Sequence, residues 1–407
     1  MPLPSVHALL GRRLPEPPVA LRRGPLRLPE QEEPPHDART AALLGRSLGI
    51  AFGICFLTGV VSHLHQHPPD WLDLPSRPVW AYQVSQGLHV VTGIASVPLL
   101  LAKLWTVYRR LFAWPPARDV GHALERLLLV PLVAGALFEL VSGLMNIVQW
   151  YPWGFFFPAA HWAVAWIVVG AMLVHLGLKA PLARSVTGGQ VTGAQATGGQ
   201  VAVAPGSPDR RAVLVGTGVA VAAVTLATAG QTVGPLRGVS VLGPRDPAVG
   251  PQGLPVNRTA TAAGVTTSAR DPGWRLDVAG PRPLSLSLAD LARLPQRRAR
   301  LPIACVEGWS ATALWTGVRL ADVLDLAGID PAARLEVFSL ERGGLYARSP
   351  LGPSAARDPL TLLATGIESG GSPEPLALDH GYPLRLIAPN RPGVQQTKWL
   401  SRIEVVR

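Results

Sequence analysis

Long apolar stretches in the first half of the sequence restrict the fold of this chain more than any other feature does. A helix needs about 20 mostly apolar residues to cross a bilayer core about 30 Å thick. Four stretches meet this requirement, and a fifth of similar length consists largely of Gly, Ala, Val and Thr. They span residues 41–61, 82–107, 127–148, 159–178 and 212–230. We therefore predict an α-helical membrane bundle of five transmembrane helices.

Positive charges alternate between the connections and so predict how these helices are oriented. Lys and Arg are retained on the cytoplasmic side of a membrane. They are frequent before residue 41 and in the second and fourth connections, whereas the first connection has only Arg77 and the third has none. We expect a multi-pass protein of the bacterial cell membrane whose C-terminal part lies outside the cytoplasm. Topology thus explains the net charge of +11, and nucleic-acid binding is not needed to account for it.

Two segments have the composition of tethers. Residues 1–40 are rich in proline, and residues 181–210 contain the imperfect repeats VTGGQ, VTGAQ and ATGGQ. Neither segment can bury enough apolar area to order itself. We predict a disordered cytoplasmic tail and a flexible cytoplasmic linker. Arg210 and Arg211 lie at the start of the fifth helix, which has the weakest apolar signal of the five and is predicted over 211–231. They resemble a twin-arginine export signal. The alternative is that they are ordinary positive-inside anchors.

Histidines inside apolar helices are costly, and each suggests a function. His161 and His175 are 14 residues apart, which on one helix corresponds to about 21 Å along the axis and about 40° around it. This spacing suits two stacked b-type haems, with His89 as the outer partner of His161. The inner partner of His175 stays open between His36 and His122. Residues 41–180 resemble in this spacing the b-type cytochrome subunit of membrane formate dehydrogenases, and the alternative is that each histidine is a hydrogen-bonded core residue.

The run HLHQH at 63–67 contains three alternating histidines. On a strand this spacing could hold zinc. We favour the simpler interpretation that the run is the water-exposed end of a helix.

The last 170 residues carry several motifs in a defined order. They are PVNRT at 255–259, WRLDVAG at 274–280, LPIACVEGWS at 301–310, WTGVRL at 315–320, HGYPLRL at 380–386 and TKWL at 397–400. This series resembles the sulfite-oxidase family of molybdopterin enzymes, and most closely its exported bacterial protein-methionine-sulfoxide reductases. The resemblance implies an α+β sulfite-oxidase-type molybdopterin-binding domain over 250–407.

The chemistry of that family requires a thiolate on the molybdenum, and Cys305 is the residue that fits. The other cysteine, Cys55, lies in an apolar stretch, so an internal disulfide is not expected. A lone cysteine is otherwise usually an inert buried side chain. The segment after Cys305, VEGWS, lacks the arginine that sulfite oxidases carry there, which argues against sulfite as the substrate.

The resemblance also assigns the contacts of the pterin. It implies that Asn257, His380 and Arg385 contact the pterin, with Gln396, Thr397 and Lys398 around its phosphate and Ser339 as a weaker position. For Arg385 the alternative is a strand residue whose head faces solvent. We further hypothesise that Tyr346 and Arg348 line the substrate funnel.

These features together predict a membrane-anchored molybdopterin-dependent oxidoreductase. Electrons would pass between a quinone pool or a redox partner protein, b-haem and a molybdenum centre that transfers an oxygen atom to or from a sulfoxide-like or sulfite-like substrate. Two alternatives remain open. One is a cofactor-free membrane-anchored binding or assembly protein, and the other is a molybdenum enzyme whose helical bundle is only an anchor.

Overall fold

A computed structural model describes residues 12–16, 38–112, 115, 117–187, 210–369 and 371–406. Most of the predicted cytoplasmic tail, including His36, lies outside the described residues. The same is true of residues 188–209, which contain nearly all of the repeats. The predictions of a disordered tail and a flexible linker therefore remain predictions.

Five helices in the described part of the chain are long and apolar enough to cross a membrane. They are α1 (Ala38–Gln66), α2 (Ala81–Leu111), α3 (Val120–Ile147), α4 (Phe157–Thr187) and α5 (Arg210–Ala229). The helices extend beyond most of the predicted apolar stretches, and α4 continues past the predicted boundary at residue 180. Backbone hydrogen bonding continues past the last apolar residue, and hydropathy cannot detect that extension.

Contacts divide the chain into two compact units. One comprises residues 1–56 and 91–225, and the other comprises residues 57–90 and 226–407. The two units are groups of residues that pack together, whereas the predicted domain boundaries lie where the sequence changes from apolar to polar. The predicted boundaries therefore stay a prediction.

The first unit contains most of the helical residues, and its closest helix pair is α3 with α4. At Gly135 a Cβ atom would lie 2.5 Å from Cγ2 of Val168. Small residues at such points let two helix backbones approach closely, as is typical of apolar bundles. The edge of Phe56 in α1 also contacts Trp166 in α4, with the ring centroids 5.0 Å apart.

The second unit contains two β-sheets. The strands are β1 (Leu276–Ala279), β2 (Leu284–Leu286), β3 (Gln296–Ala304), β4 (Ser310–Arg319), β5 (Leu335–Ser339), β6 (Arg348–Leu351), β7 (Leu362–Ser369), β8 (Ser372–Pro375), β9 (Arg385–Ile387) and β10 (Leu400–Val405). One sheet has the order β2-β1-β10-β5-β6, with β1 and β10 parallel. The other has the order β3-β4-β7-β8, and β9 pairs with β7. The second unit also contains three short helices, α6 (Leu288–Arg293), α7 (Leu320–Leu326) and α8 (Pro353–Arg357). The predicted α+β domain is therefore present.

Each sheet has its own hydrophobic core. Alternate strand residues such as Leu276, Val337 and Ile403 bury one face of the first sheet. Leu301, Trp315 and Ile387 do the same in the second, and Cys305 belongs to that second core. Burial with a period of two residues is what a sheet covered on one face requires.

Residues 57–90, which we call the helical hairpin, belong to the same unit as the sheets. The hairpin consists of the end of α1, a connection and the start of α2. In the connection, Arg77 forms a two-pronged salt bridge with the buried Asp358, at 2.9 and 3.0 Å. Asn390 bonds the backbone of the hairpin twice, at Tyr82 N and at Pro75 O, both at 2.7 Å. The β-domain thus folds against part of the helical segment.

Candidate active site

Cys305 lies directly after β3, in a tight loop that leads into β4. We call residues 305–309 the cysteine loop. Its ends are joined by hydrogen bonds from Cys305 N to Trp309 O at 2.9 Å and from Gly308 N to Cys305 O at 3.0 Å. Gly308 has φ of +96°, a conformation that glycine adopts without the penalty a Cβ would bring. The loop therefore holds the cysteine on a rigid turn.

A pocket opens beside this loop. It brings together five of the predicted site residues from distant parts of the chain. They are Asn257, Cys305, His380, Arg385 and Lys398. The remaining lining residues are Pro255, Val256, Ile303, Trp309 and Gly393.

Arg385 is buried in the wall of this pocket, with 5% of its surface exposed. The alternative of a solvent-facing arginine is therefore wrong. Its Nη1 donates to His380 O at 3.1 Å, its guanidinium lies 5.3 Å from the centre of the Trp315 ring, and its buried Nε has no hydrogen-bond partner. Burial lowers the pKa of Arg385 to about 9. An incompletely paired buried cation of this kind is suited to an anionic ligand.

Lys398 adds a second cation to the pocket. Its ammonium group donates to Asn257 Oδ1 at 3.3 Å, to Asp379 O at 3.1 Å and to Arg258 O. These acceptors are all uncharged oxygens. Burial, and then the charge of Arg385, lowers the pKa of Lys398 to about 7.

His380 is neutral and has a defined tautomer. Its Nε2 lies 2.7 Å from Pro251 O, and because a carbonyl oxygen can only accept, Nε2 carries the proton. Burial, and then Arg385, lowers the pKa of His380 to about 4. Nδ1 is therefore an acceptor at neutral pH.

The thiol of Cys305 is 1% exposed. Burial raises its pKa well above the ordinary range, and Glu307 raises it further, whereas Lys398 opposes the shift. Glu307 in turn accepts from Trp309 Nε1 at 3.1 Å. The thiol without a metal is therefore protonated, and only a strong Lewis acid would make the thiolate its stable form.

Comparison with known proteins identifies this part of the chain. Residues 263–407 match the family model of the oxidoreductase molybdopterin binding domain. This region is a molybdopterin-binding oxidoreductase domain. We refer to it below as the molybdopterin domain.

Relatives of the molybdopterin domain have different names and sizes. The chain is 32% identical over 137 residues to the uncharacterized oxidoreductase YuiH of Bacillus subtilis, a match covering 33% of this chain and 66% of YuiH. It is 32% identical to the mitochondrial sulfite oxidase of Mus musculus, over 32% of this chain and 29% of that protein. It is 34% identical to the protein-methionine-sulfoxide reductase catalytic subunit MsrP of Xanthomonas campestris, over 33% of this chain and 45% of that subunit. The chain thus spans less than two thirds of each of these relatives.

Three predicted cofactor residues are not among those that line the pocket. The buried amide of Gln396 bonds both backbone groups of Ala388, at 2.7 and 2.8 Å. Thr397 shares a hydrogen bond with Ser349 at 3.0 Å. Ser339 donates to the carbonyl oxygen of Lys398 at 2.8 Å. These side chains hold the segment that carries Lys398, and their predicted contact with the cofactor stays a prediction.

The two residues of the hypothesised substrate funnel, Tyr346 and Arg348, have different surroundings. The side chain of Arg348 is 70% exposed, lies 3.6 Å from Glu336 on the neighbouring strand and is not among the residues that line the pocket, so its part of the hypothesis stays a prediction. Strand alternation turns it outward. The hydroxyl of Tyr346 donates to Gln66 Oε1 in the helical hairpin at 3.1 Å. Burial and the neighbouring Cys305 raise the pKa of Tyr346.

Sequence reasoning did not single out Trp309 or Gly393. A Cβ atom at Gly393 would lie 3.0 Å from Ala304 O, so the close approach of these two backbone segments favours glycine at this position. Trp309 was inside a quoted motif, but its hydrogen bond to Glu307 could not be read from the sequence.

The histidines of the helices fall into different units. In one unit, His161 Nδ1 lies 3.0 Å from Glu139 Oε2 and 3.2 Å from Ser142 Oγ. His175 lies in the same unit, and His89, in the other, is 3.4 Å from Thr58 Oγ1. The proposed haem pairings stay predictions.

Two further groups of polar residues lie at helix ends. His122 is in the first turn of α3, where its Nδ1 accepts from Arg118 N at 3.3 Å. The run at 63–67 is the end of α1, as favoured from the sequence, with His63 stacked on His67 at 4.8 Å. A strand-borne zinc site is therefore wrong, and no group of three or more possible metal ligands occurs among the described residues.

Proposed function

We propose that this chain is a membrane-anchored molybdopterin-dependent oxidoreductase in which electrons pass between a quinone pool or redox partner, b-haem and a molybdenum centre. The observation that carries the proposal is the pocket beside Cys305. It combines a buried thiol, two cations and a neutral histidine. Among the described residues, neither Arg385 nor Lys398 forms a salt bridge. A pterin phosphate would supply the missing negative charge.

The residues of the pocket fit a molybdopterin in specific roles. Arg385, through its unpartnered Nε, would contact the pterin, and Lys398 would bind its phosphate. His380 Nδ1 would accept a hydrogen bond from an N–H group of the pterin. Cys305 would bind the metal as a thiolate after losing its proton. When bound, the molybdenum supplies the two-electron change that accompanies oxygen-atom transfer.

For the substrate we propose a sulfoxide-like molecule rather than sulfite. Among the similar proteins, one is named a protein-methionine-sulfoxide reductase subunit and another a sulfite oxidase. The cysteine loop contains Glu307 and no arginine. A sulfoxide is uncharged, so it does not require the cations that a doubly negative oxyanion would.

The helical hairpin provides a route for electrons to Cys305. A Cβ atom at Gly308 would lie 3.1 Å from Cγ2 of Val90 in α2, and Gln86 Nε2 lies 3.4 Å from Val306 O. His89 is next to Val90 in the sequence. We propose that a haem bound to His89 passes electrons through these contacts, and that His161 and His175 are further haem ligands.

His161 meets one requirement of a haem ligand. A ligating imidazole usually donates its second N–H to a carboxylate, and Glu139 is within reach of Nδ1. The same contact also satisfies His161 without iron, and this favours the alternative in which the bundle is only an anchor. Haem content decides between the two.

The test is cofactor analysis of the full-length protein, purified in detergent. We expect about one molybdenum and one pterin per chain, together with reduced b-type absorbance bands. Molybdenum without haem would favour the anchor alternative. The absence of both would favour the cofactor-free binding or assembly protein. Accessibility of the C-terminus to protease from outside intact cells tests the proposed multi-pass topology and the twin-arginine export, since both require an extracytoplasmic molybdopterin domain.

A further inference from the structure

Gln66 is the last residue of α1, and it contacts the molybdopterin domain twice. Its side-chain Oε1 accepts from the hydroxyl of Tyr346 at 3.1 Å. Its backbone carbonyl accepts from Gln395 Nε2 at 2.8 Å. One residue of an apolar helix is therefore bonded to two separate segments of the β-domain.

The side chain of Gln66 is itself fixed from behind. Its Nε2 donates to Ser62 Oγ at 3.1 Å and to Ser62 O at 3.3 Å. Ser62 Oγ in turn lies 3.0 Å from the hydroxyl of Tyr82 in α2. Because the amide nitrogen is committed to Ser62, Oε1 is the atom that faces Tyr346, and the amide has one orientation.

Both partners of Gln66 lie close to Cys305. Gln395 ends the turn Gly393–Gln395, in which Gly393 lines the pocket. The residue before this turn, Pro392, forms a β-bridge with Ala304, directly before the cysteine. Tyr346 is near enough for the thiol to raise its pKa.

We propose that Gln66 is a positioning residue of the molybdenum site, which orients the hydroxyl of Tyr346 and fixes the turn Gly393–Gln395 against Ala304. The proposal rests on the proposed function, because it assumes that this pocket is the redox site. The end of the first helix would then support, from behind, the residues that form the pocket. The helical segment would then be required for the geometry of the site as well as for anchoring it.

The experiment compares four single variants of the full-length protein, and the double variant of Gln66→Leu with Tyr346→Phe, in detergent. Gln66→Leu removes the acceptor for Tyr346, Gln66→Glu retains an acceptor oxygen, and Tyr346→Phe removes the donor. The matched control is Asp73→Ala, which breaks a different hairpin contact, with Ser354 N at 3.0 Å. Two quantities are measured: backbone hydrogen exchange by mass spectrometry, and kcat and KM for sulfoxide reduction with a dye as electron donor.

We expect Gln66→Leu to speed exchange in residues 343–348 by about fivefold, the effect of losing one hydrogen bond. Gln66→Glu should restore slow exchange, and Asp73→Ala should affect only residues 352–357. In turnover, Gln66→Leu should lower kcat with little change in KM. It should have no further effect in the Tyr346→Phe background, because both variants break the same contact.

Unchanged exchange in residues 343–348, or losses of kcat that multiply in the double variant, would overturn the proposal. Exchange is measurable whether or not the chain carries molybdenum. A chain that shows the exchange effect but contains no molybdenum would therefore contradict the proposed function, whereas a loaded chain without the exchange effect would contradict only the role of Gln66.

Discussion

The first unit (residues 1–56 and 91–225), called the helical unit below, and the molybdopterin pocket differ in the partners of their charged groups. In the helical unit, His161 faces Glu139 at 3.0 Å and Lys179 pairs with Glu125 at 2.5 Å. In the pocket, Arg385 and Lys398 donate to uncharged oxygens. Removing a cation from water is costly unless a counter-charge compensates.

This difference indicates where a charged ligand is needed. In the helical unit, His161 and Lys179 each have a carboxylate partner, so these two groups do not by themselves require a ligand. The pocket contains two cations with lowered pKa values, and an anion would stabilise both. The molybdopterin prediction therefore has support in the structure that the haem prediction lacks.

The largest expected effect comes from Cys305→Ser, which tests the pocket side of the comparison. We expect activity to fall at least about 100-fold, since loss of even an outer contact of a metal costs 10–100-fold. Molybdenum and pterin contents are measured with activity. Cys55→Ser is the matched control, and it should change neither. Full activity in Cys305→Ser would show that the thiol is not a ligand.

Arg385→Met should weaken pterin retention by about 10- to 100-fold, because a hydrogen bond to a charged group contributes about 1.5–3 kcal/mol. The measurement is pterin content after dialysis. Arg357→Met is the control, because the side chain of Arg357 is also largely buried, with 19% exposed, but it pairs with Asp325 and bonds Ile329 O away from the pocket. Equal pterin loss in both variants would mean that the loss does not depend on a contact between Arg385 and the pterin.

In the helical unit, His161→Ala should abolish the b-type absorbance bands of one haem. Glu139→Gln should keep the haem and weaken its binding about tenfold, as expected for an outer hydrogen-bond partner. The exposed His67, changed to Ala, is the control. Spectra of reduced protein are compared at equal molybdenum content. Unchanged bands in His161→Ala would support a bundle that only anchors the molybdopterin domain.

The smallest expected effect is a pH dependence of stability. Lys398 has its pKa lowered to about 7 when folded, against an ordinary value of about 10.5. Between these values the unfolded chain binds more protons, so stability should rise with pH over that window. We expect the melting temperature of the cofactor-free chain to increase from pH 7 to pH 9, and Lys398→Met to reduce this increase. Bound pterin phosphate should flatten the profile, and a steeper slope with cofactor would argue against a phosphate contact.

Much of the pocket could be predicted from the sequence because its residues sit in short local motifs. Cys305, Asn257, His380, Arg385 and Lys398 were each identified from such motifs, and the structure brings them together. The exposure of Arg348 could not be predicted, because the direction of its side chain depends on pairing between β5 and β6. Gln66 and Tyr82 were not considered, since their partners lie about 300 residues away in the chain.

The sequence by itself determined the five apolar helices, the separate β-domain and the cysteine, because hydropathy and strand alternation are local properties of the chain. Tertiary structure alone decided that the helical hairpin packs with the β-domain, that Arg385 is buried, and that Gln66 reaches Tyr346 and Gln395. Such contacts depend on how distant segments fill space and exclude water together, and the local pattern of residues does not encode that.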